Sequence, residues 1–240
     1  MLPKIDTPVY SIDLPLSKKT IQFRPFLVKE QKNLLMAMEA DDKESIERNV
    51  KQILNNCTIS QGIDINDLPV VDVEFYFLQL RAKSVGEIVE NKYICNNMVG
   101  DKECGNKMDV NIDLNEIQVD KKGDVDDYIQ LTDTIGIKLS YPKFATMEKL
   151  KNSSTSVDMA FDIVINSIEY IFDGDQYYYA NESDPKELME FIESLNTEQF
   201  NKLENFFKNL PRLKKDLKFT CNKCGFEHNI EVEGLENFFG

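Results

Sequence analysis

What this chain has little of narrows its function first. It carries one histidine, His228, and no nucleophile motif surrounds any serine. An acyl-transfer triad needs a base beside its nucleophile, so none can be assembled and no enzymatic activity is expected. There is no glycine-rich phosphate loop, and helical and strand segments follow one another without a βαβ rhythm, which removes the common nucleotide-binding classes. No apolar run approaches the roughly eighteen residues of a membrane-spanning helix, so no membrane partner is expected. The opening residues, Met1-Leu2-Pro3-Lys4-Ile5-Asp6, lack the apolar core of a signal peptide, and a cytosolic, reducing compartment is expected. Basic charge is short as well: 28 Lys and Arg against 42 Asp and Glu leave a net charge of −14. Phosphate backbones select basic faces, so no nucleic-acid partner is expected, and basic or apolar proteins fit better. Lys214, Lys215 and Lys218 form one small basic patch with Asp216 among them.

What is present begins with four cysteines in two clusters. Cys95 and Cys104 form the first, Cys221 and Cys224 the second, and each cluster ends in Cys-Gly. An alternating run follows each, from Lys107 to Leu114 and from Phe226 to Glu233. Apolar residues at every second position just past a tight Cys-Gly turn read as a strand leaving a metal knuckle. Two such hairpins facing one another predict a four-thiolate zinc ribbon holding one structural Zn2+, with Cys95, Cys104, Cys221 and Cys224 as ligands. Gly225 supplies the backbone conformation that a side chain would penalise. The eight residues between Cys95 and Cys104 are more than a knuckle needs, and the turn-rich stretch Asn96 to Asp101 is expected to loop out. Two alternatives stand beside this one: unrelated pairs of reduced thiols, or His228 in place of one cysteine. A disulfide is disfavoured in a reducing compartment. Cys57 follows the helical apolar positions Ile46, Val50, Ile53 and Leu54 and reads as a buried core thiol.

With 42% hydrophobic and 29% charged residues, 240 residues bury a real core as one large or two small domains. The fold class expected is α+β: an N-terminal hairpin and helical body, with a split zinc ribbon interrupted by a mostly helical insertion. Residues 1–86 carry the hairpin and helices, 87–114 the first ribbon arm, 115–215 the insertion, and 216–240 the second arm with an aromatic tail. Around Ser17-Lys18-Lys19, alternation from Val9 to Leu14 and from Thr20 to Arg24 predicts the hairpin. Helices are expected over Val28 to Glu39, from an Asp41-x-x-Glu44 capping box to about Asn56, and after Asp67 and Pro69 with Val70, Val73, Phe77 and Leu80 on one face. In the insertion, Ile135 to Tyr141 reads as a strand. Val157 to Phe172 reads as the most apolar helix, with Phe161, Val164, Ile165, Ile168 and Phe172 on one face, ended by Asp173-Gly174-Asp175. Asp184-Pro185 opens another helix, and Thr197 is expected to cap the one bearing Phe200, Leu203, Phe206, Phe207 and Leu210.

Three features invite a functional reading. Asp173 and Asp175 flank Gly174 as a cation pair would, although the ligand series of a calcium loop is missing and a solvated turn explains them. Tyr177-Tyr178-Tyr179 offers a stacking surface, or two rings on a core and one over an edge. The chain ends in Gly234-Leu235-Glu236-Asn237-Phe238-Phe239-Gly240, which either folds back on the ribbon or docks Phe238 and Phe239 into a partner.

One stretch carries a resemblance. Tyr10-Ser11-Ile12-Asp13-Leu14-Pro15-Leu16-Ser17, then Phe23-Arg24-Pro25-Phe26-Leu27-Val28-Lys29-Glu30-Gln31-Lys32 and Leu34-Leu35-Met36-Ala37, with the cysteine pairs and aromatic tail, resembles the baseplate proteins of T4-like tailed phages, specifically the hub subunit or hub-assembly family. The resemblance implies a role in building the central hub of a contractile tail's baseplate, as an assembly chaperone or a virion component. It also implies baseplate hub proteins as partners, and the host cytoplasm as the place of assembly. The other reading is a zinc-ribbon regulator or adaptor that binds transcription or replication machinery; a basic ribbon face would mark it, and this ribbon has little basic surface.

Overall fold

The computed structural model describes residues 5–39, 43–120, 125–150 and 155–233. In chain order the elements are β1 (Tyr10–Asp13), β2 (Thr20–Phe23), α1 (Val28–Glu39), α2 (Lys43–Cys57), α3 (Val70–Ser84), β3 (Ile88–Ile94), β4 (Met98–Val99), β5 (Lys102–Glu103), β6 (Lys107–Asp113), β7 (Gln118–Asp120), β8 (Tyr128–Gln130) and β9 (Ile135–Leu139). They continue with α4 (Phe144–Leu150), α5 (Ser156–Ser167), β10 (Ile168–Asp173), β11 (Gln176–Tyr179), α6 (Pro185–Glu193), α7 (Thr197–Lys208), β12 (Arg212–Thr220) and β13 (Glu227–Glu233). The class is mixed α+β. The chain divides into two compact units. The first comprises Met1–Ile65, Val71–Asp120 and Arg212–Gly240; the second comprises Asn66–Val70 and Lys121–Pro211.

In the first unit β1 and β2 pair antiparallel, Tyr10 opposite Phe23. The turn between them is fastened to α3: the fully buried Asp72 carboxylate accepts the backbone N–H groups of Leu16 and Ser17, each at 2.8 Å. The Arg24-Pro25-Phe26 segment is structural. Phe26 is buried, and its N–H donates to Ser84 Oγ at 3.0 Å. Arg24 donates to the buried Glu30 at 3.0 Å, while the other Glu30 oxygen accepts the Leu27 N–H. Cys57 is the core thiol expected, fully buried and pushed up to about 11 by that burial. Leu78 and Ala82 of α3 join Val89, Ile112, Leu217 and Val232 from the β3–β6 and β12–β13 hairpins in one apolar core. In β6 and β13 the alternation read from the sequence is seen: Met108 and Ile112, His228 and Val232 point inward.

The second unit carries a sheet as well as helices, in the order β11-β10-β9-β8. Here the helix expected over Val157 to Phe172 is corrected. It ends at Ser167, and Ile168–Asp173 is a strand between β9 and β11. The apolar spacing fits both periods, and what decides is the Asp173-Gly174-Asp175 turn, which folds β11 back as a cross-strand partner. Tyr177, Tyr178 and Tyr179 do not pack as two core rings and a cover; all three are about half exposed, at 55%, 50% and 48%. A second correction is small: Asn196, not Thr197, caps α7, with a reciprocal bond to Gln199. The Asp41 end of the expected capping box and the aromatic residues Phe238 and Phe239 lie outside the described residues. No helix among the described residues is long and apolar enough to cross a membrane.

Candidate metal centre

The first knuckle is the end of the β3–β6 hairpin. Ladder bonds continue past the strands, with Cys95 N–H to Asn106 O at 2.8 Å and Gly105 N–H to Cys95 O at 2.9 Å. Gly105 sits at φ +63, a region that favours glycine, with nothing near the position of a Cβ. The long Cys95–Cys104 spacing has a simple origin: β4 and β5 project as a two-stranded hairpin of their own. Cys104 N–H closes its base on Asn97 O at 2.8 Å, so both sulfurs stay at the knuckle. The second knuckle repeats the pattern at the end of β12–β13. Cys221 N–H bonds Phe226 O at 2.8 Å, Gly225 N–H bonds Cys221 O at 2.9 Å, and Gly225 has φ +73.

The fold brings the four sulfurs together. Cys95 Sγ lies 3.6 Å from Cys224 Sγ and Cys104 Sγ lies 3.8 Å from Cys221 Sγ, and all four fall within 4.8 Å of one another. Four thiolates at about 2.3 Å from one ion stand about 3.8 Å apart at the corners of a tetrahedron. A disulfide would draw two sulfurs to about 2.05 Å, and none forms; all five cysteines are free. Cys95, Cys104 and Cys221 are buried with Met108 in a small cluster edged by Val110 and Phe219. The set can hold a metal ion. Among the described residues it is the group of metal-ligating side chains gathered closely enough to do so.

Backbone donors surround the sulfurs, and burial opposes them. Backbone N–H groups two residues past each cysteine, those of Asn97, Asn106, Lys223 and Phe226, donate to the four thiols. The Cys224 and Lys223 N–H groups hold Cys221 down to about 6, and the Phe226 N–H lowers Cys224. Burial pushes Cys95 the other way, up to about 12. Side-chain amides also cross between knuckles: Asn97 Nδ2 lies 3.7 Å from Cys224 Sγ, and Asn106 Nδ2 lies 3.5 Å from Cys221 Sγ. Lys223 Nζ caps Cys104 O at 3.0 Å. His228 adjoins the set, with Nε2 3.3 Å from Cys95 Sγ and its ring stacked on Phe219 with centroids 5.1 Å apart. The four sulfurs lie within 4.8 Å of one another without it.

Asn106 and Lys223 were not among the residues singled out from the sequence, and Asn97 was read there only as part of a turn. The signal was their place two positions after a cysteine; their cross-knuckle reach depends on tertiary approach. Asp173 and Asp175 form the β10–β11 turn. The basic patch is largely neutralised: Lys214 pairs with Glu231, with Asp216 and Asp120 close by, and Lys215 pairs with Glu116.

A family model described as T4 bacteriophage base plate protein matches residues 7–240 of the chain. No curated protein and no solved structure matches it.

Proposed function

This chain belongs to the T4 bacteriophage base plate protein family, and from that premise we propose that it is a structural or assembly component of the baseplate hub in a contractile tail. Membership carries a baseplate role and contact with other baseplate proteins. The finer reading is that the cysteine cluster is a split zinc ribbon with one Zn2+ on Cys95, Cys104, Cys221 and Cys224. The ion is structural, because four protein thiolates leave no open position for a substrate or water. The observation that supports it is the sulfur spacing of 3.6 and 3.8 Å, close to the edge of a zinc–thiolate tetrahedron. Bound zinc ties β3–β6 to β12–β13, two hairpins far apart in sequence, and so gives partners a rigid body to bind.

Partner contact in this reading is protein–protein, beginning in the host cytoplasm, with the aromatic side chains of Phe238 and Phe239 as anchors. The decisive experiment is affinity capture of the tagged full chain from phage-infected cells, with mass spectrometry of what is recovered. Hub proteins are the expected result, and a chain lacking Leu235 to Gly240 keeps its zinc but loses them. Recovery of polymerase or replication proteins, together with tight and steeply salt-dependent DNA binding, would instead establish a regulator. The neutralised Lys214 and Lys215 argue against that outcome.

A further inference from the structure

The β8–β11 sheet presents an outward face made of tyrosines. Registers place Tyr128 opposite Lys138, Lys138 opposite Tyr170, and Tyr170 opposite Tyr179. The neighbouring row is Gln130, Gly136, Phe172 and Tyr177. Cross-strand partners share a face, so both rows lie on the side away from Ile129, Ile137 and Ile171, which are buried in the unit's core. The rings are already ordered. Tyr170 packs edge-on against Tyr177 at 5.4 Å and Tyr179 at 5.6 Å, and its hydroxyl lies 2.8 Å from that of Tyr128. Phe172 lies across Gly136 so closely that a Cβ there would meet its ring at 2.3 Å.

Beside this platform is a sheet edge. β11 is the last strand of its sheet. The Ala180 N–H bonds Glu169 O at 3.0 Å, which sets the phase of the ladder: Gln176, Tyr178 and Ala180 bond inward to β10. The backbone N–H and C=O groups of Tyr177 and the N–H of Tyr179 therefore point away from the sheet, while the Tyr179 C=O accepts the Glu182 N–H at 3.0 Å and the Ser183 hydroxyl at 2.9 Å. Edge strands are usually guarded by lysine, proline or a bulge. Gln176-Tyr177-Tyr178-Tyr179 has none of these.

Charge selects the occupant. The strands and their turns carry Asp126, Asp127, Asp133, Glu169, Asp173 and Asp175 against Lys138. That lysine is committed to Asp127 at 2.5 Å and to the Tyr128 ring at 4.1 Å. We propose that this face and edge take an extended, basic segment of another protein, which adds beside β11 as a fifth strand and lays Arg or Lys side chains over the tyrosine rings. Main-chain pairing supplies the affinity and cation–π contacts the selectivity. A second copy of this chain would bring like carboxylates together, and a nucleic acid would meet the same repulsion. The surface is independent of the cysteine cluster.

The test uses the full-length protein and a blocked, dye-labelled hexapeptide alternating Arg and Val, followed by fluorescence anisotropy. Saturable binding is expected, with protection of the Tyr177 and Tyr179 amides from hydrogen exchange. A Glu–Val peptide should not bind, nor should an Arg–Val peptide N-methylated at alternate residues. Replacing Tyr177→Ser and Tyr179→Ser together should weaken binding about tenfold, the scale of two lost ring contacts. Tyr178→Ser, on the opposite side, is the folding control and should leave the affinity unchanged. The proposal is overturned if the Arg–Val peptide fails to bind, if the Glu–Val peptide binds as well, if the double variant binds normally, or if concentration-dependent self-association replaces peptide binding. Metal content is unchanged under every outcome, so failure here is distinct from failure of the zinc reading.

Discussion

The two compact units close their cores by different means. In the second, Leu188 and Ile192 of α6 and Leu203 and Phe206 of α7 pack on Ile137 and Ile171 of a four-stranded sheet. In the first, the far end of the β3–β6 and β12–β13 hairpins has little more than Met108, Val110, Phe219 and the cysteines to bury. A two-stranded hairpin is marginal in water without a partner surface. The difference teaches where a metal would matter: in the proposed reading, sulfur ligation at the knuckles takes the place of the apolar packing that the other unit has in full.

That contrast can be broken at either end. The largest effect is expected from Cys224→Ser. Zinc sites contribute about 10–16 kcal/mol of apparent binding energy in small zinc peptides, so much of the local stability of the two hairpins should go with the metal. Hydrogen exchange should then show lost protection at Met108 and Ile230 while Ile137 and Ile171 stay protected. Uniform loss across both groups would mean that the metal supports the whole chain. The converse change is Leu203→Ala, which removes a fully buried side chain from the second unit. It should lower stability by about 2–5 kcal/mol and leave the metal content untouched.

Smaller changes sharpen the contrast within the first unit. Burial works to raise the Glu30 pKa, but the Leu27 N–H and the Arg24 guanidinium more than offset it and hold the carboxyl below its usual range. A depressed folded value contributes stability above the unfolded pKa of about 4.3 and loses it as pH falls through the folded value. Glu30→Gln should therefore be less stable by about 1–2 kcal/mol at neutral pH, with the gap from wild type closing below about pH 4 in acid titrations. The smallest effect is at a helix end. Asn196→Ala should cost about 1 kcal/mol, and Thr197→Ala much less, because Asn196 holds the cap.

Much of the cysteine cluster was legible in the sequence because its cues are local. Two Cys-Gly turns, each followed by period-two alternation, specify knuckles and the strands leaving them, and both strands lie where Lys107 and Glu227 begin them. The N-terminal hairpin and α3 were legible for the same reason. The β8–β11 sheet was much less so. Its strands are short, its partners are distant, and Ile168 to Phe172 satisfies helical and strand spacing alike until the Gly174 turn supplies a neighbour. The amides of Asn97 and Asn106 belong to the same class: their identity is local, but their contact with sulfur on the other knuckle is a product of the fold.

Elemental analysis of protein purified without chelator tests most directly whether the four thiolates hold a structural metal. One zinc per chain is expected, falling to near zero when Cys95, Cys104, Cys221 and Cys224 are all replaced by serine. A zinc content well below one in the unaltered protein, or zinc retained by the fourfold variant, would contradict the account.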